Sequence, residues 1–378
     1  MTHRPTRRRA VLAGLLAFSI GVSACGSDET DQSGTPETSP ATDATTEATD
    51  APADTPVDTP ADTTPETESP PSTDAPTTAT EAPDDADDPA DEVVEERAIV
   101  ALDEQVAIQL LSVGIRPTMV LTTLSSEVFA ALNADEGLET VDFIIAEPSF
   151  EVIAGLAPDV LVGIASPFIT DRTDEYEAIA PLILAPLDAT WQEQLELIAD
   201  EFGVTDRAAS VIGAVDALTA ETAATIDGAG GAGTSVSVLT VRLGNTLAVT
   251  AGGATGQVLA DAGLTRPEPQ LASGAPGVPF VPVSEENLVD HDADIVVTAS
   301  GAVFDLQPLL ESPVYGQLSA VQGGTSFEVV GDLWVLGGTG LATAWVLEDL
   351  RALLVDGGTP ATLDDTVDRW AEFLALAE

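Results

Sequence analysis

The chain has 378 residues and a formal net charge of −52, and all of its basic residues other than two histidines are arginines. A surface this acidic repels nucleic acid and anionic lipid headgroups, which excludes both as partners of the folded part. The only cysteine, Cys25, excludes an internal disulfide and a cysteine-rich zinc site.

The first 25 residues have the pattern of an export signal. Arg7–Arg9 precede an apolar segment, 11–22, that is too short to span a membrane as a mature helix. Residues 22–25 (VSAC) resemble a lipobox, so we expect cleavage before Cys25 and acylation of that cysteine. Arg8-Arg9 also resembles the core of a twin-arginine signal, and the export route stays open.

Residues 26–96 consist almost entirely of Thr, Pro, Ala, Asp, Glu and Ser. Such a segment cannot bury enough apolar surface to offset its chain entropy, so we expect a disordered linker. A flexible coil of this length has an end-to-end distance of about 45–50 Å, enough to hold a domain away from a membrane.

From residue 97 the sequence alternates between buried-strand and amphipathic-helix patterns. Strands are predicted at 98–102, 118–121, 160–162 and 182–184, and helices at 103–112, 127–132, 149–155 and 174–179. This alternation predicts an α/β lobe with a parallel sheet over residues 97–187. Two adjoining helices, 191–202 and 205–226, follow.

The same alternation restarts after residue 228. Strands are predicted at 236–241, 247–250, 295–299 and 327–330, and helices at 256–262, 285–289, 312–321, 340–355 and 363–377. Residues 228–378 are therefore predicted to form a second α/β lobe that ends in a helix.

Two corresponding stretches resemble a known family. Residues 148–162, PSFEVIAGLAPDVLV, are similar to a signature of the iron-siderophore and cobalamin class of ABC-transporter substrate-binding lipoproteins, and 283–297 resemble its second-lobe counterpart. The resemblance spans roughly residues 97–355. It implies a class III periplasmic binding protein fold, with two Rossmann-like lobes of parallel sheets joined by one long helix. Residues 188–227 would be the hinge helices.

The resemblance also implies a function without enzymatic activity or cofactor. The protein would capture a ferric siderophore or similar iron chelate and deliver it to an ABC permease and its ATPase. It would be an extracytoplasmic monomer, held on the outer face of the cytoplasmic membrane only by its lipid. In this family one glutamate of each lobe pairs with permease arginines, and the matching positions are Glu151 and Glu286, with Glu285 as a substitute. Ordinary helix-end electrostatics is the alternative explanation for these carboxylates.

The ligand is expected at the loops that follow the carboxyl ends of strands. Arg242 and Arg172 fall in such positions and could pair with an anionic chelate, although each could instead be a surface arginine paired with a carboxylate. Aromatic side chains near the expected cleft could stack on an organic ligand, or belong to the core. They are Trp191, Trp334, Phe168 and Tyr176.

Other functions are less compatible with the sequence. Cobalamin or haem binding by the same fold is the first alternative, and a ligandless adhesion or sensor domain is another. An extracellular enzyme is disfavoured because His291 is the only histidine after the signal segment, which leaves no Ser-His-Asp set. This lone histidine among acids is expected to be a solvated helix-end residue, and no metal site is predicted.

Overall fold

The computed structural model describes residues 97–122, 126–142, 149–272 and 278–378. The predicted signal segment, the predicted lipidation site Cys25 and the linker 26–96 lie outside the described residues. Pro148, the first residue of the first motif, also lies outside them.

The first sheet contains five parallel strands. They are β1 (Ile99–Ala101), β2 (Met119–Thr122), β3 (Glu139–Asp142), β4 (Val160–Ile164) and β5 (Leu182–Ala185). Their order is β3-β2-β1-β4-β5, and every neighbouring pair is parallel, as predicted for this lobe. β1 and β4 are buried along their whole length, which explains their continuous apolar sequences.

Five helices accompany this sheet. They are α1 (Glu104–Ser112), α2 (Glu127–Glu136), α3 (Phe150–Gly155), α4 (Pro167–Thr170) and α5 (Thr173–Glu177). Asp103 caps α1, because its Oδ1 accepts a hydrogen bond from Val106 N at 2.7 Å. Ser149 occupies the N-cap position of α3, but its side chain makes no capping hydrogen bond.

Two helices cross from the first sheet to the second. They are α6 (Trp191–Phe202) and α7 (Thr205–Gly228), separated by Gly203 at φ 73°. By length and composition alone α7 could cross a membrane. A stripe that includes Val211, Val215 and Ile226 is nevertheless buried within the protein, and α7 packs against α6. The long connecting helix predicted from the sequence is therefore confirmed.

The second sheet is mostly parallel, as predicted, but it contains one antiparallel strand. Its strands are β6 (Val236–Arg242), β7 (Asn245–Val249), β8 (Phe280–Pro282), β9 (Ile295–Ser300) and β10 (Ser326–Val330), in the order β10-β9-β6-β7-β8. β10, β9 and β6 are parallel, whereas β7 pairs antiparallel with both β6 and β8. The reversal follows from a two-residue turn, Leu243-Gly244, which joins β6 and β7 as a hairpin.

Six α-helices accompany the second sheet among the described residues. They are α8 (Ala254–Asp261), α9 (Gln307–Leu310), α10 (Ser319–Gly323), α11 (Gly331–Trp334), α12 (Gly340–Arg351) and α13 (Thr366–Ala375). The helix of the second motif is a 3-10 helix, Glu285–His291. The single helix predicted at 312–321 is divided at Leu318, whose extended ψ of 137° separates a 3-10 turn from α10.

The two lobes share one apolar core. Its largest cluster contains strand residues of both sheets together with residues of α6, α7 and α12, and α12 packs directly on α7. This core joins the two lobes into one folded unit.

Candidate functional site

The carboxyl ends of β2 and β10 meet across the gap between the lobes. Asp332, in α11 directly after β10, accepts three hydrogen bonds at Oδ2 from the start of α2. The donors are Ser126 Oγ at 2.9 Å, Glu127 N at 2.7 Å and Val128 N at 3.2 Å. A carboxylate of the second lobe thus caps a helix of the first, where the helix dipole favours negative charge.

A second polar contact joins α1 to the loop before α12. Gln105 Nε2 and Gln109 Nε2 both donate to the carbonyl of Gly338, at 2.9 and 3.2 Å. Gln109 Nε2 also lies 3.0 Å from Gln194 Oε1. A Cβ at position 338 would lie 2.4 Å from Gln105 Nε2, so glycine allows this close approach.

A small cavity of about 40 Å³ lies between these two contacts. Its walls include the buried carboxylates of Glu104 and Asp332, and Glu104 Oε1 accepts a hydrogen bond from Ser126 N at 3.4 Å. Pockets for organic ligands are roughly 300–1,000 Å³. An iron chelate therefore does not fit into this acidic cavity.

Two of the predicted ligand residues are accessible. Arg242 is the last residue of β6 and is exposed at the carboxyl edge of the second sheet, with no ion pair to any other described residue. Phe168 is exposed in α4, which follows the carboxyl end of β4. Arg172 is half-buried and already engaged, because its Nε lies 3.4 Å from Glu175 Oε1 and its guanidinium lies 4.5 Å from the Phe150 ring centroid.

Three of the predicted aromatic contacts lie in the core. Trp334 has 0% exposure, and its Nε1 donates to Asp349 Oδ2 at 2.8 Å. Trp191 is buried at the start of α6, and Tyr176 packs edge-on against Phe150 with 5.0 Å between ring centroids. Burial raises the pKa of Tyr176. Side chains enclosed in this way cannot stack on a ligand in this conformation, so their prediction as ligand contacts is not supported.

The two glutamates of the motifs are both accessible. Glu151 lies in the first turn of α3 and Glu286 in the first turn of the 3-10 helix 285–291, and both are exposed. Glu285 differs, because its Oε1 accepts a hydrogen bond from Ser312 Oγ at 3.0 Å. Both carboxylates are exposed, and within the described residues only that of Glu285 takes part in a hydrogen bond.

His291 is buried, which corrects the expectation of a solvated residue. Its Nδ1 lies 3.1 Å from Gln270 Nε2, and the same amide nitrogen donates to Ser237 Oγ at 2.7 Å. Gln270 Oε1 accepts from the buried Arg266 at 2.8 Å. Burial lowers the pKa of His291, and it lowers that of Arg266 to about 10. These residues form a polar network inside the second lobe, and the described part of the chain has no cluster of three metal-ligating side chains.

Comparison with solved structures identifies proteins of the same fold. Staphylococcus aureus SirA has a TM-score of 0.59 at 18% identity, over 69% of this chain and 99% of SirA. Staphylococcus aureus FhuD2 with bound ferrioxamine B has a TM-score of 0.55 at 17% identity, over 74% and 99%. The Vibrio cholerae siderophore-binding protein FhuD has a TM-score of 0.55 at 20% identity, over 68% and 98%.

Comparison of the sequence agrees with the fold. No curated protein sequence matched the chain. The sequence profile of the family described as periplasmic binding protein matches residues 99–329, which is more than half of the chain. Together with the two sheets and the long connecting helix, this match shows that the chain belongs to the periplasmic binding protein family.

Proposed function

We propose that this protein is the substrate-binding component of an ABC importer and that it captures a ferric siderophore or a similar iron chelate. Family membership supports the transport role. The chelate is supported by the similar structures, which include FhuD2 with ferrioxamine B and SirA complexed with staphyloferrin B. Members of this family act outside the cytoplasm with ABC permeases, and they are binding proteins rather than enzymes.

The observation that carries the chelate proposal is the pair of accessible side chains at the carboxyl edges. Arg242 after β6 offers an uncommitted guanidinium, and Phe168 after β4 offers an exposed ring. A chelate too large for the cavity would bind above it, where these groups can supply a charge-assisted hydrogen bond and a stacking surface. Arg172 remains a secondary candidate, because binding an anion would require it to give up part of its contact with Glu175.

Docking and anchoring complete the proposal. Glu151 and Glu286 would pair with arginines of the permease, because both carboxylates are exposed in corresponding motif helices. The acylated Cys25 and the linker would tether the domain to the outer face of the cytoplasmic membrane as a monomer. Delivery then requires only that the permease bind the loaded form more tightly than the empty form.

The test of ligand binding is a fluorescence titration of the soluble chain that lacks residues 1–25. The ligands are ferrioxamine B, a ferric tris-catecholate, a ferric carboxylate chelate, cobalamin and haem. We expect saturable quenching by one ferric chelate and a Kd about tenfold higher in Arg242→Ala, a change of about 1.4 kcal/mol. Arg351→Ala is the control, since Arg351 is an exposed arginine whose Nε lies 3.5 Å from Asp356 Oδ2. Quenching by cobalamin or haem alone would reassign the ligand, and no quenching by any compound would refute the proposal.

The test of docking uses the neighbouring glutamates as a matched pair. Glu286→Ala should reduce iron uptake in cells while leaving the chelate Kd unchanged, because the side chain would act only on the permease. Glu285→Ala should have little effect, since that carboxylate is directed to Ser312. Equal uptake in the two variants would contradict the assignment of Glu286.

A further inference from the structure

The turn between β6 and β7 begins with a leucine, a residue that the backbone geometry of this turn disfavours. Arg242 pairs with Asn245, so the loop consists of Leu243 and Gly244 alone. Their φ values are +51° and +76°, the left-handed values that a type I′ turn requires at both positions. Asn-Gly is the preferred pair here, and a leucine in this region brings its Cβ too close to the following carbonyl.

Packing does not explain the leucine either. The Leu243 side chain is 78% exposed, the highest value for a large apolar residue in the described part of the chain. Because Leu243 disfavours the turn conformation and buries little apolar surface, it stabilises neither the turn nor the core. Departures of this kind from local rules are expected at functional positions, and here they indicate a contact with another molecule.

The position of this turn relates it to Glu286. β7 starts beside the end of β8, with Val283 N donating to Thr246 O at 2.9 Å, so the chain enters the 3-10 helix 285–291 at the same edge of the sheet. Val289 is 52% exposed and follows Glu286 by three residues. In a 3-10 helix residues three apart lie on the same face, so an exposed aliphatic side chain accompanies this carboxylate.

The first lobe repeats this combination. Val152 directly follows Glu151 in the first turn of α3 and is 43% exposed. An exposed ion pair alone contributes little binding energy, whereas protein interfaces combine apolar contacts with a polar rim. Each glutamate proposed to dock therefore has beside it the kind of side chain that a docking surface needs.

We propose that Leu243, Val289 and Val152 form the apolar part of the surface that docks on the extracytoplasmic face of the ABC permease. This inference rests on the proposed function. The partner surface would present apolar side chains beside the arginines that receive Glu151 and Glu286.

The strand order favours the permease over a chelate as the occupant. Neighbouring strands lie about 4.8 Å apart. β6 is two strands from β10, so the β6–β7 turn lies roughly 10 Å from β10 along the sheet. The end of β8 is four strands away, at roughly 19 Å. β10 leads into Asp332 and the contact between the lobes. A chelate that reaches Arg242 at the end of β6 leaves the end of β8 and the 3-10 helix after it, two strands farther along the sheet, uncovered. A protein partner can cover the turn and this helix together.

The test is Leu243→Asn, which creates the Asn-Gly pair that the turn prefers and therefore separates docking from folding. Three quantities are measured: the Tm, the ferrioxamine B Kd of the purified chain, and the initial uptake of radioactive iron from limiting ferrioxamine B. Uptake is measured in cells whose only copy is the variant, at matched protein levels. We expect the Tm to be no lower than that of the wild type, the Kd to be unchanged, and uptake to fall about tenfold.

Two further variants complete the experiment. Val289→Ser should reproduce the loss of uptake. Leu271→Asn should leave uptake unchanged. Leu271 is also exposed, at 56%, but it lies at the opposite edge of the sheet. The residue before it, Gln270, accepts a hydrogen bond at its carbonyl from Ala251 N, beyond the end of β7.

The outcomes distinguish this inference from the proposed function. Wild-type uptake by Leu243→Asn, or an equal loss in Leu271→Asn, would overturn the docking surface. A tenfold weaker Kd in Leu243→Asn would also overturn it, because the turn would then belong to the ligand site. If the wild-type chain neither binds a ferric chelate nor supports uptake, the proposed function fails and the docking surface fails with it.

Discussion

Asp332 is the residue whose removal should most weaken the contact between the lobes. Its Oδ2 accepts from one hydroxyl and two backbone N–H groups at the start of α2. A hydrogen bond to a charged group contributes about 1.5–3 kcal/mol, and loss of a helix cap costs about 0.5–2 kcal/mol. Ser126 still caps α2 through Phe129 N, so only part of this sum is lost.

We therefore expect Asp332→Ala to lower the free energy of unfolding by about 2–3 kcal/mol, and Asp332→Asn by about 1 kcal/mol. At about 2 °C per kcal/mol for a chain of this size, Asp332→Ala should lower the Tm by about 4–6 °C. Urea unfolding followed by circular dichroism measures the first quantity. Hydrogen exchange supplies a local measure, because the amides of Glu127 and Val128 lose their acceptor.

The control is Asp188→Asn, an exposed aspartate in the loop before α6. It removes one negative charge from the same acidic protein without touching the contact between the lobes. If Asp332→Ala is as stable as Asp188→Asn, and the two amides of α2 exchange no faster, the structural role assigned to Asp332 is wrong.

Three further predictions concern pH, packing and charge. Burial raises the pKa of Asp349 from 3.8 to about 6. The folded state therefore binds this proton more tightly than the unfolded chain, and the group stabilises the fold at low pH and loses that contribution as the pH rises through about 6. Asp349→Asn should reduce the decline in unfolding free energy between about pH 4 and 7, measured by urea titration at several pH values, and a slope equal to that of the wild type would contradict this. Gly331→Ala would place a Cβ 2.6 Å from the Ser300 carbonyl oxygen. We expect this substitution to lower the free energy of unfolding by about 1–3 kcal/mol in the same assay. A negligible decrease would mean that the backbone can shift to accommodate the methyl group. Glu104→Gln removes a negative charge from the cavity wall. It should strengthen the binding of an anionic ferric carboxylate relative to that of ferrioxamine B, which carries a protonated amine. Paired fluorescence titrations measure the two Kd values, and an equal change in both would refute a role for this charge.

The repeated elements could be predicted because their signals are local. α6 was predicted with its observed ends, from apolar spacing and a glycine at its C-terminus. β3 was missed because its sequence, ETVD, is exposed at the sheet edge and carries no buried-strand pattern. The hairpin after β6 was missed because Leu-Gly is not a recognised type I′ sequence.

The site was only partly predictable, because spacing does not give the direction of a side chain. Trp334 follows β10 as a cleft residue would, but α11 is a single turn that directs the indole toward Asp349. His291 was assigned to the surface from its acidic neighbours, while the network around Gln270 holds it inside. The contact of Asp332 with Glu127 joins residues that are 205 positions apart and has no signal in the sequence.

The shared core limits how far the two lobes can move when a ligand binds. α7 and α12 pack together between the lobes, and Asp332 and Gly338 hold the first lobe at two further points. Because these contacts must break for a wide opening, we expect ligand binding to change the separation of Glu151 and Glu286 only slightly. Two exposed ion pairs contribute about 0.2–1 kcal/mol each, too little for a micromolar complex, which needs about 8 kcal/mol. For the proposed docking, the aliphatic side chains beside the glutamates would supply most of the docking energy, and only a small change in the distance between the glutamates would separate the loaded form from the empty one.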